Sequence, residues 1–327
     1  MAVSMSDVAR HAGVSQRTVS NVVNNYVHVS PATRARVQAS LDALGYRPNT
    51  AARRLRTGRT GTVTLAVPTF RERYFADLAE AVIAAARDRG TTILVETTGG
   101  RHELEVELLR GGGDVLTDGV IMSAVALSRA DQRSTHPVVL VGDREPGSAI
   151  DHVGIKNREA AQAAVTHLLD TGRQRILLLG ANHGPRRSYQ LRRQGYQAAL
   201  KKQGIDLDPA LIVECDWTTA AAAEAISRTF EQLHPDGIFA MNDSAALGAL
   251  RALQRDNVDV PGEVSVIGFD DIVESSLSTP TLSTIAPLLD DIASTALDLL
   301  EEQLEEDHVP QHRMAGYELR IRESTTR

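Results

Sequence analysis

Cysteine, aromatic residues and long apolar runs are all scarce in this chain of 327 residues. The lone cysteine, Cys215, excludes an internal disulfide framework and argues against a metal cluster. The longest apolar runs, such as 176–179 and 264–267, fall far short of the ~20 residues of a membrane-spanning helix. Residues 1–10 lack the apolar core of a signal peptide. We therefore expect a cytoplasmic protein without a bound metal.

The sequence also lacks the motifs of common enzymes. It has no GxxxxGK[ST] phosphate loop, no HExxH zinc motif, no GxSxG nucleophile motif and no CxxC pair. Hydrophobic residues make up 42% and charged residues 24% of the chain, which is ordinary for a globular protein of two or three compact units. We expect a binding protein that uses no cofactor, and not an enzyme.

Charge is distributed unevenly along the chain. Residues 1–60 contain nine arginines, no lysine and two acidic residues, which gives this segment a net charge of +7. Because the whole chain carries −7, residues 61–327 carry −14. A small basic head on an acidic body is the distribution expected when the head alone binds nucleic acid.

Residues 6–24 have the pattern of two short helices joined by a tight turn. Ser6 is expected to cap the first helix, Gly13 to end it, and Ser15 to cap a second helix that continues to residue 24. Valines recur along one face of the second helix, and its opposite face carries four hydrogen-bonding side chains: Gln16, Arg17, Ser20 and Asn21.

A third helix is predicted to begin at Pro31, with Ser30 as its cap and Gly45 after its end. Three short helices, of which the middle one exposes arginine and amide groups, are typical of a helix-turn-helix domain. A helical bundle with no DNA function is the alternative, and the positive charge of the segment argues against it.

From residue 62 onward, β-type apolar runs alternate with helical segments. Strands are expected at 62–67, 91–97, 119–123, 138–142, 153–155, 175–180, 211–214, 237–241 and 264–269. Helices are expected between them, at 75–89, 103–110, 158–170, 192–203, 220–231 and 244–255. This alternation predicts an α/β fold with two doubly wound sheets, in which ligands bind beyond the carboxyl ends of the strands.

Several segments of this chain resemble the LacI/GalR family of bacterial transcription regulators. SDVARHAGVSQRTVSNVVNN and VSPATRARVQASLDALGYRPNTAARRLRTGRTG are similar to the family's head and hinge. KNREAAQAAVTHLL, RQGYQAAL, MNDSAALGALRAL, VPGEVSVIGFDD and LRIREST extend the resemblance over essentially the whole chain. The resemblance implies a helix-turn-helix head, a hinge helix and a two-lobed body of the periplasmic-binding-protein fold, with three chain crossings between the lobes.

The resemblance also implies which residues contact DNA. The second helix would lie in the major groove, where Gln16, Arg17 and Asn21 select bases. Arginine can bond O6 and N7 of guanine, and glutamine or asparagine can bond N6 and N7 of adenine. Contacts to phosphates are implied for Ser15, Thr18, Asn24 and Tyr26. Many relatives carry arginine where this chain has Asn21, so we expect a different operator from the commonest one.

Residues 49–56 are a candidate hinge helix that is too short to be stable alone in water. The resemblance implies that it folds on specific DNA and places Leu55 in the minor groove, flanked by Arg53, Arg54 and Arg56. Paired hinge helices require a homodimer, which would bind a pseudo-palindromic operator in double-stranded DNA. A solvated arginine-rich linker is the alternative.

The resemblance places a small-molecule effector between the two lobes. Eight residues are carried over to that site: Tyr74, Phe75, Ser123, Asp143, Arg192, Trp217, Asn242 and Asp270. An aromatic face combined with carboxylate, amide and guanidinium groups suits a polyhydroxylated ligand such as a sugar. The capping of strand ends is the alternative for each polar residue. Six arginines near the predicted cleft leave an anionic sugar open: positions 71, 73, 186, 187, 192 and 193.

We expect a helix-turn-helix domain at 1–47, a hinge helix and linker at 48–61, and an effector-binding and dimerisation domain at 62–327. Its lobes would comprise about 62–157 with 288–316, and about 158–287 with 317–327. The expected function is a repressor of a sugar-utilisation or related metabolic operon, which a sugar releases from its operator. The alternatives are a regulator that depends on a purine or another metabolite as co-repressor, and a solute-binding protein without a DNA function.

Overall fold

The chain divides into two units in the computed structural model, Met1–Thr60 and Gly61–Arg327. The structure describes residues 3–23, 26, 28–46, 60–111, 117–128, 130–131, 133–143, 148–181, 187–305 and 307–326. The predicted hinge contacts Arg53, Arg54, Leu55 and Arg56 and the predicted phosphate contact Asn24 lie outside these residues.

The first unit contains three helices in its described part: α1 (Met5–Ala12), α2 (Gln16–Val23) and α3 (Pro31–Ala43). The prediction that Ser6 caps α1 is wrong, because the N-cap is Ser4. The Asp7 amide donates to Ser4 Oγ over 3.3 Å, and the Ser4 amide donates to Asp7 Oδ2 over 3.0 Å. This reciprocal pair requires an acid three residues after the cap. Asp7 stands three residues after Ser4, whereas Ala9 stands three residues after Ser6.

Valine side chains form the core of the first unit. Val8, Val19, Val22 and Val37 are buried together, one or two from each helix. Gly13 has a φ of 63° and its amide donates to carbonyl groups near the end of α1, as predicted. This left-handed residue turns the chain so that α2 packs against α1 with its polar face outward.

The second unit contains two six-stranded sheets. The first sheet has the order β11-β5-β4-β3-β1-β2, and all of its strand pairs are parallel. Its strands are β1 (Thr62–Val67), β2 (Thr92–Thr97), β3 (Val120–Met122), β4 (Val138–Val141), β5 (Asp151–Gly154) and β11 (His312–Met314).

The second sheet has the order β12-β10-β9-β8-β6-β7 and is parallel except for the pair β10–β12. Its strands are β6 (Ile176–Ala181), β7 (Ile212–Glu214), β8 (Gly237–Ala240), β9 (Ser265–Phe269), β10 (Ser283–Pro287) and β12 (Tyr317–Arg320). The chain crosses between the sheets three times, after β5, after β10 and after β11, as the resemblance implied.

Helices connect most of the parallel strands, and the described ones are α4 (Arg73–Asp88), α5 (His102–Leu109), α6 (Asn157–Asp170), α7 (Arg187–Lys202), α8 (Thr219–Leu233), α9 (Asp243–Arg255) and α10 (Leu289–Glu302). All six helices predicted for the body are present, together with strands at the nine predicted places. The prediction omitted β10, β11, β12 and α10. No helix among the described residues is long and apolar enough to cross a membrane.

Gly195 permits the close packing of α6 against α7. A Cβ atom at this position would collide with the Arg158 carbonyl oxygen and would lie 2.8 Å from Ala161 Cβ. Because both obstacles belong to a packed helix, they cannot move aside cheaply.

We expect Gly195→Ala to lower the free energy of unfolding of the body by about 2–3 kcal/mol, as overpacking does in other cores. Urea unfolding followed by circular dichroism measures the change. Gln194→Ala, at the exposed neighbour on α7, is the control, with an expected change within about 0.5 kcal/mol. Equal stability of the two variants would show that the helices have room for a methyl group.

Candidate effector cavity and DNA-reading helix

A cavity opens in the second unit where strands of both sheets end. Its empty volume is about 1170 Å³, which includes the open space at its mouth. Seven of the eight predicted effector contacts line it: Tyr74, Phe75, Ser123, Asp143, Arg192, Trp217 and Asp270. Most of them follow a strand directly or begin the next helix, so the fold itself brings them together.

Arg192, on the second turn of α7, is the central polar residue of the cavity. Its Nε donates to Asn157 Oδ1 over 2.9 Å, its Nη1 donates to the Met241 carbonyl oxygen, and its Nη2 lies 3.4 Å from Asp270 Oδ1. The guanidinium carbon also lies 3.5 Å from the centre of the Phe269 ring. Each of its three nitrogens therefore has a protein partner, and two of the five N–H groups of the guanidinium, one on Nη1 and one on Nη2, remain for a ligand.

Asp143 continues this network toward the first sheet. It follows β4, and its Oδ1 accepts a hydrogen bond of 3.1 Å from Asn157 Nδ2. Burial raises the pKa of Asp143, and the nearby charge of Arg192 opposes that rise. Asp143 Oδ2 has no protein donor among the described residues, so a hydroxyl group of a ligand can bind there.

Asp270 occupies a strained position after β9. Its φ is 112°, a conformation that side-chain-bearing residues rarely adopt. Burial raises the pKa of Asp270 to about 8; Arg192 opposes the rise and Asp243 adds to it. The next residue, Asp271, has a φ of 55°, and its carboxylate pairs with Arg320 and Arg322 instead.

Aromatic rings supply the apolar surface of the cavity. Tyr74 and Phe75 begin α4 and meet edge to face, with ring centres 5.3 Å apart. Trp217 follows β7 of the second sheet, and its indole nitrogen donates to the Gly180 carbonyl oxygen over 2.7 Å. Burial raises the pKa of Tyr74, so its hydroxyl remains a neutral donor. Such faces can stack on the apolar face of a sugar ring or on a purine.

Asn242, the eighth predicted effector contact, is not among the residues that line the cavity. Its Oδ1 accepts from the Ala245 amide over 2.9 Å and caps α9, and its Nδ2 donates to the Trp217 carbonyl oxygen over 3.2 Å. Both ends of the amide are used inside the protein. Asn242 therefore caps α9 directly after β8, which is the alternative that we gave for the polar residues of the predicted site.

Two members of the predicted arginine cluster line the cavity among the described residues, and two others contact side chains on their own helices. Arg73 is held by Asp77 over 3.0 Å, and Arg193 lies 3.3 Å from the Tyr189 hydroxyl. Arg186 lies outside the described residues. Among the described residues, Arg187 and Arg192 line the cavity, against four carboxylates: Glu72, Asp131, Asp143 and Asp270.

The sequence prediction missed several polar residues of the wall: Glu72, Ser128, Asp131, Ser148 and Asn157. Asn157 is the most important, because it joins Asp143 to Arg192. A signal was available, because Asn157 lies between the strand predicted at 153–155 and the helix predicted at 158–170. The loop residues gave no signal, since Ser128 and Asp131 follow no predicted strand directly.

The exposed face of α2 carries the predicted base-reading residues. Gln16 and Arg17 are exposed and Asn21 is half-buried, and residues 17 and 21 are one helical turn apart on the same face. Ser15 Oγ accepts from the Thr18 amide over 3.1 Å and therefore caps α2 as predicted. Tyr26 is 52% exposed and free to meet a phosphate.

Family models match both parts of the chain. Residues 4–49 match the model of bacterial regulatory proteins of the lacI family, and residues 165–325 match a periplasmic binding protein-like domain. Catabolite control protein A of Priestia megaterium is 31% identical over 94% of this chain and 95% of its own length. The HTH-type transcriptional repressor CytR of Escherichia coli K12 is 32% identical over 99% of this chain and 96% of its own.

Two solved structures of transcription regulators have a fold similar to that of this chain. The complex of the transcriptional regulator CelR with cellobiose has a TM-score of 0.71 at 29% identity, over 98% of this chain and 99% of that one. The lac repressor dimer bound to operator and the anti-inducer ONPF has a TM-score of 0.80 at 26% identity, over 99% of each chain.

A helix-turn-helix head joined to a cavity-bearing body of two doubly wound sheets defines a DNA-binding regulator that responds to a small molecule. This chain belongs to the LacI family of bacterial regulatory proteins. Its relatives are transcription regulators and not enzymes. The protein is a transcriptional repressor of that family, with DNA and a small-molecule effector as its partners.

The raised pKa of Asp270 predicts how stability depends on pH. The folded protein retains a proton on this carboxyl that the unfolded chain releases near pH 4. The resulting contribution to stability is complete below about pH 4 and is lost as the pH rises through about 8. Asp270→Asn removes this loss, so the variant should be more stable than the wild type at pH 9 by more than about 1 kcal/mol.

Thermal unfolding of both proteins from pH 5 to pH 9 measures this difference. Asp271→Asn is the control of opposite sign, because it weakens the contacts of that carboxylate with Arg320 and Arg322. A stability gap between wild type and Asp270→Asn that does not widen with rising pH would contradict the assignment.

Proposed function

We propose that the protein represses a sugar-utilisation or related metabolic operon and that a neutral sugar releases it from its operator. The cavity supports this class of effector, because the carboxylates of Glu72, Asp131 and Asp143 line it with two guanidinium groups among the described residues, and Asp270 keeps its proton up to about pH 8. Every nitrogen of Arg192 also has a protein partner already. Carboxylates accept hydrogen bonds and repel anions. A neutral ligand rich in hydroxyl donors fits such a wall better than a sugar phosphate.

Two relatives add support for a sugar. The similar regulator CelR has been solved with cellobiose, and the similar lac repressor with ONPG. The aromatic rings of Tyr74, Phe75 and Trp217 also suit a purine, and the PurR repressor of Vibrio vulnificus is 30% identical to this chain. A purine co-repressor is therefore the second candidate, and the same screen tests it.

For DNA, we propose that Gln16, Arg17 and Asn21 read bases while Ser15, Thr18 and Tyr26 contact phosphates. The assignment is supported by the exposure of Ser15, Gln16, Arg17 and Tyr26 on and beside α2, where Thr18 and Asn21 are half-buried. We further propose a homodimer on a pseudo-palindromic operator in the bacterial cytoplasm, with domain boundaries at 47 and 61. The similar lac repressor was solved as a dimer on its operator, and paired heads match a two-fold DNA site.

The effector is tested by thermal unfolding of the full chain with glucose, cellobiose, maltose, glucose 6-phosphate, galacturonate, hypoxanthine and guanine. A ligand at a hundred times its Kd stabilises by about 2.7 kcal/mol, which raises the Tm of a body of this size by roughly 5–10 °C. We expect a neutral sugar to give that rise and to weaken operator binding. A rise with a purine or a sugar phosphate alone would contradict the proposal.

Asp143→Ala should abolish the Tm rise, because it removes the carboxylate oxygen that remains available to a ligand. Asp88→Ala, at an exposed position on the end of α4, is the matched control and should keep the full rise.

Base reading is tested by Arg17→Ala. If Arg17 reads guanine, the variant should lose roughly 1–3 kcal/mol per half-site and accept any base at one position of the half-site. The measurement is anisotropy of labelled operators, selected from random DNA and then varied base by base. Arg36→Ala removes the same charge from the exposed side of α3 and should leave base preference intact. An equal loss on every sequence would make Arg17 a phosphate contact.

A further inference from the structure

Helix α5 carries an acid where an apolar residue is expected. Its buried residues are Glu105, Leu108 and Leu109, the spacing of an apolar stripe. Glu105 is fully buried, with 0% of its surface exposed to solvent. Removing a carboxylate from water is costly unless hydrogen bonds replace the lost solvent. Leucine or alanine would avoid this cost, so the acid calls for a specific role.

Both carboxylate oxygens of Glu105 bond to one loop. Oε1 accepts from the Val125 amide over 3.0 Å, and Oε2 accepts from the Ala126 amide over 2.9 Å. Burial raises the pKa of Glu105, while these amides and that of Leu127 pull it back toward the charged form. Because the donors are backbone groups, the carboxylate fixes the path of the chain and not the identity of its side chains.

This loop forms one wall of the cavity. It follows β3, and five of its residues line the cavity: Ser123, Ala124, Val125, Leu127 and Ser128. Glu105 does not line the cavity itself. Its effect on a ligand must therefore pass through the loop.

The same helix holds the far end of the loop. His102 lies one turn before Glu105 on the same face, and its Nε2 contacts Asp131 Oδ2 over 2.8 Å. Asp131 also accepts from the Ser128 amide over 2.9 Å and from the Ser128 hydroxyl over 2.7 Å. Although burial opposes it, these hydrogen bonds lower the pKa of Asp131 to about 2, so it stays charged. Helix α5 thus fastens the loop at two points.

We propose that Glu105 is a positioning residue for the effector cavity, which holds loop 123–128 in the shape that selects the ligand. This inference rests on the proposed function of the cavity as the effector site. The ligand class that the loop serves is the neutral sugar proposed above.

The test substitution is Glu105→Gln in the full chain. Glutamine keeps the shape but turns one acceptor into a donor, which then faces a backbone amide. In the ligand-free protein we expect amide hydrogen exchange at residues 125–127 to become about tenfold faster, as for the loss of one charge-assisted hydrogen bond. Acrylamide should also quench Trp217, the single tryptophan, more strongly. The exposed Glu107 on the same helix gives the matched control, Glu107→Gln, with neither change.

Binding of cellobiose, measured by calorimetry beside the other sugars of the panel, should weaken about tenfold in Glu105→Gln at a nearly unchanged ligand-free Tm. A purely structural role would lower the Tm and leave the Kd of the folded protein unchanged. His102→Ala serves if Glu105→Gln does not fold, because His102 is exposed; it should speed exchange at Ser128. If amide hydrogen exchange, acrylamide quenching of Trp217 and the Kd for cellobiose are all the same in Glu105→Gln as in the wild type, the proposal is overturned. A wild type that binds none of the sugars overturns the proposed function instead, while exchange and quenching still decide on Glu105.

Discussion

The buried guanidinium of Arg192 is the contact on which the geometry of the cavity depends. It joins Asn157 at the start of α6, the Met241 carbonyl group after β8 and Asp270 after β9, and through Asn157 it reaches Asp143 after β4. Four strand or helix ends from both sheets thus share one cation. A buried cation without these partners would be strongly destabilising, so the partners keep their places, and the rest of the wall is built around them.

The hydrogen-bond network around Arg192 also contains energetically unfavourable features. Asp270 combines a positive φ with a raised pKa, and Asp243, fully buried behind it, is held by Thr284, Ser275 and the Ile272 amide. Strained backbone and incompletely compensated acids persist only where the surrounding structure enforces them. Of these two acids Asp270 lines the cavity, so a ligand hydroxyl group that bonds to it would relieve part of that cost and give effector binding a source of free energy beyond simple contact.

Sequence patterns predicted most of the fold because the buried strands are short apolar runs separated by helices of clear periodicity. They did not predict β11 and β12, which have only three and four residues and largely exposed side chains. In the site, the family resemblance supplied seven of the residues that line the cavity. Several of them follow strands, because parallel strands bring their carboxyl ends together. Asn242 and Glu105 show the limit. A polar residue after a strand, such as Asn242, can cap a helix or contact a ligand, and its sequence position is the same in both cases. The sequence likewise does not show which of several glutamates on a helix is buried, because burial depends on the packing of the folded chain.

The network also offers a physical basis for regulation by the effector. A ligand can shift an equilibrium only by as much as its affinity differs between two states. Here a hydroxyl group that bonds to Asp270 Oδ1 competes with Arg192 for that oxygen. A hydroxyl group that bonds to Asp143 Oδ2 leaves Asn157 in place on Oδ1 but adds a second donor to the same carboxylate. Ligand contacts to these two acids therefore act on the network that joins Asp143, Asn157, Arg192 and Asp270. A ligand that bound only the aromatic rings would leave this network intact, and by the same argument it would have no means of shifting an equilibrium through it.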